Sequence, residues 1–319
     1  MAIKTNNGLT DRQTLTDIVL QGDTWGSMLA SVQVETIGKE CQERGYGYKY
    51  KDSLKVSMLG MVDDLIGITE AGYQAKQMNM FINTKTAEKT LQFGPSKCKS
   101  MFVGKASSTV LNSDLYVDSW TVSYQDNRET GDLELLEVYN GPVIMEKTTS
   151  QKYLGFVLSC TGDNMVNIGH MKSKSVGIIR QIFNRLESLN LQKYYFECAI
   201  ILMNCMLRSS ILYAAETYYN MTEKQLRELE RIEEGFLRKL LKTSKSCPIV
   251  ILYLSVGIIP ARFQIMKMRL MFLKDILNEN EQSMIRKFYE LQLQKPTKGD
   301  WASTFAENIK QMKINQQKK

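Results

Sequence analysis

Two adjacent acidic residues, Asp63 and Asp64, interrupt an otherwise apolar stretch that reads SMLGMVDDLIGIT. An isolated ionised carboxylate is costly to bury, so this pair needs either water or a compensating positive charge. The apolar segments on its two sides, LKVSMLGMV and LIGIT, are typical of β-strands. Because these segments meet at the two aspartates, the simplest geometry is a β-hairpin with both carboxylates at or beside its bend.

A tight bend can bring both carboxylates toward one point, although successive side chains along a strand point to opposite faces. Like charges held that close repel each other, and a divalent cation such as Mg²⁺ relieves the repulsion. In polymerases, two such ions about 3.5–4 Å apart stabilise the attacking and leaving oxygens of phosphoryl transfer. The alternative interpretation is an ordinary solvated turn, in which aspartate is common.

The composition excludes several other kinds of site. A single histidine, His170, argues against a Ser-His-Asp mechanism and against a multi-histidine zinc site. Six cysteines without a C-x-x-C pair favour a reducing compartment, so we expect the nucleus or the cytoplasm and not secretion. The first residues lack the pattern of a signal peptide, and the apolar run PIVILYLSVGIIP is too short for a bilayer, so no membrane partner is expected.

The formal net charge of +7 is unevenly distributed along the 319 residues. Residues 1–162 contain 16 Lys and Arg against 19 Asp and Glu, whereas residues 163–319 contain 25 against 15. A basic half suits a polyanionic partner, because phosphates that are neutralised by lysine and arginine release their counterions. The alternative is that these lysines merely solvate helix faces.

Hydrophobic periodicity divides the chain into two parts and predicts an α+β fold. Up to about residue 160, short strand-like segments alternate with turns, and two helices interrupt them; the second carries an apolar face of Ala75, Met78, Phe81, Ile82 and Leu91. Residues 161–295 have helical periodicity almost throughout, and 296–319 form a polar, lysine-rich tail.

One helix of the second part has a clear start and a clear core face. Thr222 is a good N-cap, and basic residues follow at the C-terminal end, where the helix dipole favours them. We expect one apolar face to pack inward while the lysines and arginines face solvent; that face consists of Leu226, Leu229, Ile232, Phe236 and Leu240.

Four motifs in order along the chain resemble the palm of reverse transcriptases from non-LTR (LINE-type) retrotransposons. The sequence MVDD at 61–64 matches the family's [YF]-x-D-D hairpin, and the resemblance makes Asp63 and Asp64 metal ligands. Gln21 and Gly22 match a Q-G turn that lies under the template and the incoming nucleotide. Lys97, in SKCK, matches a lysine near the nucleotide phosphates and is the expected acid or counter-charge for the leaving pyrophosphate.

The fourth motif and the helical part extend the resemblance over almost the whole chain. Tyr153, Leu154 and Gly155 match the Y-L-G strand that grips the primer end in this family. The helical part is similar to the family's thumb and the segment beyond it. By resemblance, residues 1–160 form a partial right-hand polymerase palm with an antiparallel sheet, and 161–295 form a thumb whose basic face contacts a template–primer duplex.

Two departures from the family pattern affect the expected activity. The family requires an earlier aspartate, in an F-x-D segment well before the Q-G turn, and here only Asp11 and Asp17 precede Gln21. We therefore expect an incomplete two-ion Mg²⁺ site and a chain that begins inside the palm. Met61 replaces the usual aromatic residue of the hairpin, which preserves apolar packing.

The resemblance implies an RNA-directed DNA polymerase whose partners are an RNA template, a DNA primer and a dNTP. The missing aspartate predicts that this chain alone binds nucleic acid and extends primers weakly or not at all. Two alternatives remain: a non-catalytic nucleic-acid-binding protein derived from a retroelement, and a remnant without a function. An unrelated metal-dependent phosphohydrolase would leave Gln21, Lys97 and the Y-L-G motif unexplained.

Overall fold

The computed structural model describes residues 4–5, 8–9, 26–51, 53–89, 91–104, 114–126, 133–189, 194–218, 221–297, 299–306 and 309–310. The chain forms two compact units, Met1–Thr148 and Thr149–Lys319. Their boundary lies before the position near residue 160 at which the periodicity changes. The expected Q-G turn, Gln21 and Gly22, and the early acids Asp11 and Asp17 lie outside the described residues.

The first unit mixes short strands with two helices. Its strands are β1 (Lys4–Thr5), β2 (Gly8–Leu9), β3 (Tyr48–Tyr50), β4 (Leu54–Val56), β5 (Met58–Met61), β6 (Asp64–Gly67), β7 (Lys99–Ser100), β8 (Tyr116–Asp126), β9 (Leu133–Ile144) and β10 (Glu146–Lys147). Its helices are α1 (Gly26–Glu43) and α2 (Gly72–Glu88), and a single 3₁₀ turn spans Pro95–Lys97.

The strands of the first unit pair two by two, which differs from the single antiparallel sheet expected of a palm. The pairs β1–β2, β3–β4, β5–β6 and β8–β9 are antiparallel hairpins, whereas β7 and β10 pair in parallel. Within the described residues no third strand joins any of these pairs. The mixed α+β class is confirmed at this coarse level, while the polymerase palm remains a prediction.

A small apolar core holds α1 against α2. Ile37 and Cys41 from α1 pack with Met78 and Phe81 from α2, and these are the buried members of the cluster. Burial raises the pKa of the Cys41 thiol to about 11, so this side chain stays protonated at neutral pH and behaves as a small apolar group. Of the predicted α2 face, Met78 and Phe81 are buried and Ile82 packs against this core, whereas Ala75 is only half-buried. Leu91 lies beyond the end of the helix at Glu88 and is 37% exposed.

The second unit begins with a hairpin and is otherwise helical. The hairpin strands are β11 (Ser150–Tyr153) and β12 (Phe156–Ser159). The helices are α3 (Asn164–Ser188), α4 (Tyr195–Leu202), α5 (Ser209–Ile211), α6 (Glu223–Leu241), α7 (Ile249–Val256), α8 (Ala261–Asn278) and α9 (Met284–Gln294). A π-helical segment, Met203–Arg208, joins α4 to α5, and a 3₁₀ turn spans Ala215–Thr217.

The predicted start and core face of α6 are confirmed. Thr222 accepts a hydrogen bond from the backbone N–H of Gln225, whose side chain accepts one from the Thr222 N–H, which completes a capping box. Four of the five predicted residues are buried, and Leu226 is partly buried against the same core. This core joins α3, the segment from α4 to α5, α6, α7 and the start of α8.

A fully buried carboxylate connects α6 to the π-helical segment before it and to α7 and α8 after it. Glu233 accepts hydrogen bonds from Arg208 Nε at 2.8 Å, Tyr253 Oη at 2.9 Å and the Ala261 N–H at 3.0 Å. Burial raises the pKa of Glu233, and the Arg208 guanidinium acts in the opposite direction. All these donors converge on one carboxylate, so its surroundings are those of a structural ion pair.

The segment expected to be a polar tail packs against the helical unit between residues 299 and 306. Trp301 donates a hydrogen bond from Nε1 to the Glu216 carbonyl, and its ring contacts Phe272 edge-on and stacks on Phe305. The buried Arg269 guanidinium lies 5.4 Å and 5.3 Å from the centroids of the Trp301 and Phe305 rings. The lysine-rich composition predicted a polar tail, but the aromatic residues within the stretch pack against the helices.

Candidate functional site

The predicted hairpin is present, and its bend lies at the acidic pair. β5 and β6 are antiparallel, Met61 pairs with Asp64, and Val62 and Asp63 form a two-residue loop. Val62 has a φ of 58°, a conformation that is unfavourable for a β-branched residue. Backbone strain of this kind persists only where the surrounding structure imposes it, and it is frequent at functional sites.

Both carboxylates of the hairpin are accessible and unpaired. Asp63 and Asp64 are exposed, and neither carboxylate forms a hydrogen bond or an ion pair within the described part of the chain. Two adjacent carboxylates are suitable ligands for Mg²⁺. This ion usually retains several waters and is coordinated by one or two protein carboxylates together with substrate phosphates. A third ligand is not near: no group of three His, Cys, Asp or Glu side chains that could hold a metal is found among the described residues.

Three close approaches fix the hairpin between the two helices of its unit. A Cβ on Gly60 would lie 2.7 Å from Val34 Cγ1 of α1, so only glycine leaves room there. A Cβ on Gly67 would meet Met78 of α2 at 3.3 Å, and one on Gly38 of α1 would meet Met58 of β5 at 3.0 Å. The hairpin is therefore packed against α1 near its bend and against both helices at its other end.

Lys97 lies at the end of the 3₁₀ turn that leads into β7. Its side chain is exposed, and its N–H donates to the Gly94 carbonyl at 2.9 Å. β7 pairs with β10 and has no pairing with the β5–β6 hairpin. Proximity of Lys97 to the acidic pair, which its expected role requires, therefore remains a prediction.

The Y-L-G motif forms a turn, which corrects the prediction that it lies within one strand. Tyr153 ends β11, and Leu154 and Gly155 form the loop to β12, with φ values of 47° and 84°. Positive φ at both loop positions is the backbone of a type I′ hairpin turn, for which Gly155 is well suited and Leu154 is not. Period-two apolar patterning alone cannot distinguish one long strand from two short strands.

Tyr213, which the sequence reasoning missed, holds this turn against the helical unit. Its Oη donates to the Leu154 carbonyl at 2.6 Å, and its ring edge lies 3.3 Å from the position of a Cβ on Gly155. The acidic pair and Lys97 belong to the first unit, whereas Tyr153, Leu154 and Gly155 belong to the second.

A long stretch of the second unit contains basic residues and no acidic ones, and it too was missed. Between Gly235 and Lys274 there are eight basic residues and no Asp or Glu. Counting charges by halves of the chain conceals this stretch, whereas a search for acid-free windows would have found it.

Arginines and lysines of this stretch have different surroundings. Arg238 and Arg262 form ion pairs with acids of α6, and Arg269 is buried. The lysines are exposed and have no ion-pair partner within the described residues; they are Lys239, Lys242, Lys245, Lys267 and Lys274. Unpaired, exposed ammonium groups are the side chains that can neutralise phosphates without reading a base sequence.

No described helix is by itself long and apolar enough to cross a bilayer; α7 and α8 meet that criterion only together, by length and composition, across a 63° bend.

Comparison with known proteins returned no matching family model, no matching curated protein and no matching solved structure.

Proposed function

We propose that this chain is part of a reverse-transcriptase-type polymerase, in which the first unit contributes metal-binding carboxylates and the second unit binds a template–primer duplex. The observation that carries the proposal is the acidic bend: two exposed carboxylates without partners at a strained two-residue turn, in a hairpin that packs against α1 and α2. An ordinary solvated turn has no need of a β-branched residue at positive φ.

The residues of the bend have a direct chemical use in nucleotidyl transfer. Asp63 and Asp64 would hold Mg²⁺, which when bound stabilises negative charge on the transferring phosphoryl group. Lys97 would supply a positive charge to the leaving pyrophosphate of a dNTP. The described residues offer two carboxylates and no third, so we propose that the chain alone binds a single cation weakly and extends primers poorly.

The unpaired lysines of the 235–274 stretch support duplex binding by the second unit. Each lysine that contacts a phosphate releases a counterion, so affinity should fall steeply as salt rises. Replacing Lys242 and Lys245 together by glutamine is expected to weaken binding to an RNA–DNA duplex and to reduce the slope of log K against log salt by about 1–2. Fluorescence anisotropy titrations at salt concentrations from about 50 mM to 200 mM measure both the duplex affinity and the slope.

Lys76→Gln is the matched control for the duplex experiment, because Lys76 is an exposed lysine of the first unit. This variant should bind the duplex as the unmodified chain does. An unmodified chain that fails to bind duplex, or a double variant with an unchanged salt slope, would contradict the duplex-binding proposal.

Cation binding is tested without relying on catalysis. Titration with Mn²⁺, followed by electron paramagnetic resonance of the free ion, should show weak binding that Asp63→Asn and Asp64→Asn each remove. Asp275→Asn is the control, because Asp275 is an exposed carboxylate on α8 in the second unit. If all variants bind Mn²⁺ equally, the proposal that Asp63 and Asp64 bind a metal ion is wrong.

A non-catalytic nucleic-acid-binding protein is the second candidate, and the absence of a third carboxylate ligand among the described residues favours it. Primer extension with an RNA template, a DNA primer and Mg²⁺ separates the two candidates. For the polymerase, any extension should drop by roughly 100-fold or more in Asp63→Asn, since metal ligation is worth several kcal/mol. For the binding protein, extension is absent and duplex affinity does not depend on Asp63.

A further inference from the structure

A basic pocket in the second unit has no role in the function proposed above. Its volume is about 390 Å³, and it opens between the β11–β12 hairpin, α3 and the segment from Met206 to Tyr213. Its polar lining consists of Lys152, His170, Lys174, Ser209, Ser210 and Tyr213. We infer that this pocket is a binding site for a phosphate group.

The charges around the pocket are of one sign. Lys152 projects from β11, and Lys174 follows His170 by one helical turn on α3, so both α3 side chains lie on the same helix face. No Asp or Glu lines the pocket, and neither lysine has an ion-pair partner among the described residues. Two uncompensated ammonium groups facing one cavity favour an anion inside it.

A buried hydroxyl supplies a second and independent observation. Ser210 Oγ is inaccessible to solvent and has no hydrogen-bond partner among the described residues, whereas the neighbouring Ser209 hydroxyl donates to the carbonyls of Cys205 and Met206. An unsatisfied buried polar atom is costly, and in native proteins such atoms commonly have a partner. Ser210 belongs to the lining, so a change of its side-chain rotamer would turn this hydroxyl into the pocket, where a phosphate oxygen would be such a partner.

One wall of the pocket is fixed in advance. Tyr213 lines the pocket and at the same time donates its hydroxyl to Leu154, at the turn that carries Gly155 into the lining. This hydrogen bond fixes the turn to the helical segment, which lowers the entropic cost of binding a small ligand. Ammonium, hydroxyl and imidazole donors together match the oxygens of a phosphate monoester.

Isothermal titration calorimetry of the whole chain tests the site, first with inorganic phosphate. The native chain should bind it, and Lys174→Gln and Lys152→Gln should each weaken binding roughly tenfold or more, because each removes a charge-assisted contact. Arg180→Gln is the control: it removes the same charge from an exposed position on α3 outside the pocket and should leave affinity unchanged.

Ser210→Ala gives a readout that distinguishes a ligand site from a structural serine. It should weaken phosphate binding, and without phosphate it should leave the melting temperature unchanged or higher, because it removes an unsatisfied polar atom. The inference is overturned if the native chain does not bind phosphate, if Arg180→Gln weakens binding as much as Lys174→Gln, or if Ser210→Ala binds phosphate normally.

The source of the phosphate is decided by two further ligands, a nucleoside monophosphate and a single-stranded oligonucleotide with or without a 5′-phosphate. A preference for the phosphorylated oligonucleotide that is lost in Lys174→Gln assigns the pocket to a strand end. Equal binding of both oligonucleotides together with tight binding of the monophosphate assigns it to a free nucleotide. Replacing Asp63 or Asp64 should change neither result.

Discussion

At the scale of single residues, the most informative feature is the backbone of the two predicted site turns. Val62 and Leu154 are both non-glycine residues with positive φ, and each stands at the first position of a two-residue hairpin loop. Hairpin loops of this length normally contain Asn-Gly or Asp-Gly, and neither MVDD nor YLGF begins its loop in that way. The sequence could therefore predict the acidic bend but not its strain.

Replacing Val62 by glycine should stabilise the first unit. A left-handed conformation costs an L-residue roughly 1–2 kcal/mol, and glycine removes this cost. Because glycine also makes the unfolded chain more flexible, about half of the gain is lost. We expect a gain of about 0.5–1 kcal/mol, measured by urea unfolding followed by circular dichroism. Val62→Ala keeps the Cβ and should gain less than glycine. A destabilised Val62→Gly would show that Val62 packing outweighs the backbone strain.

At the scale of elements, the sequence predicted helices better than it predicted strand connections. The periodicity of α1, α2, α3 and α6 spans many turns, so a helix is well determined by its own residues. The strands are shorter: LKVSMLGMV divides at Ser57 into β4 and β5, and of the strand-like segment SMFVG at 100–104 only Ser100 lies in β7. Which strands pair depends on distant residues, as β7 with β10 shows, and local patterning does not contain that information.

The grip of α1 on the acidic hairpin is tested at Gly60. Gly60→Ala would place a Cβ 2.7 Å from Val34 Cγ1 and should destabilise the first unit by about 1–3 kcal/mol, because a packed helix cannot retreat freely. Adding Val34→Ala makes room for the new methyl group. The double variant should then be less destabilised than the sum of the single variants by about 1 kcal/mol, in a double-mutant cycle of unfolding free energies.

Additive effects at Gly60 and Val34 would mean that the two side chains do not compete for the same space. Gly169→Ala on α3 is a useful comparison, because apart from its chain neighbours and the backbone of its own helix no atom lies within 4 Å of its added Cβ. It should be neutral or slightly stabilising, as expected for alanine in place of glycine within a helix.

At the scale of the whole molecule, the described parts of the two units differ in the size of their cores. Among the described residues, the buried cluster of the second unit has twenty-one members and that of the first has four. Stability rises with the apolar surface that a unit buries, so the second unit should carry most of the stability of the chain. The sequence predicted a helical second part, but it did not predict this imbalance, because burial depends on the packing of elements.

A fragment consisting of residues 149–319 should fold alone. We expect a cooperative thermal transition and a native near-ultraviolet circular dichroism spectrum for it, whereas residues 26–148 should unfold at low denaturant. Hydrogen exchange on the full chain gives the same comparison without truncation: amides of α3 and α6 should be protected longer than those of α1 and α2. Equal protection in both units would contradict the imbalance.

The packing of Trp301 gives the helical unit a built-in optical reporter. Its indole N–H is committed to the Glu216 carbonyl, and its ring lies between Phe272 and Phe305 with a guanidinium over one face. An indole in such surroundings emits at shorter wavelengths than one in water. Detachment of residues 299–306 would therefore shift the emission of Trp301 to the red and could be followed in real time while the rest of the fold stays intact.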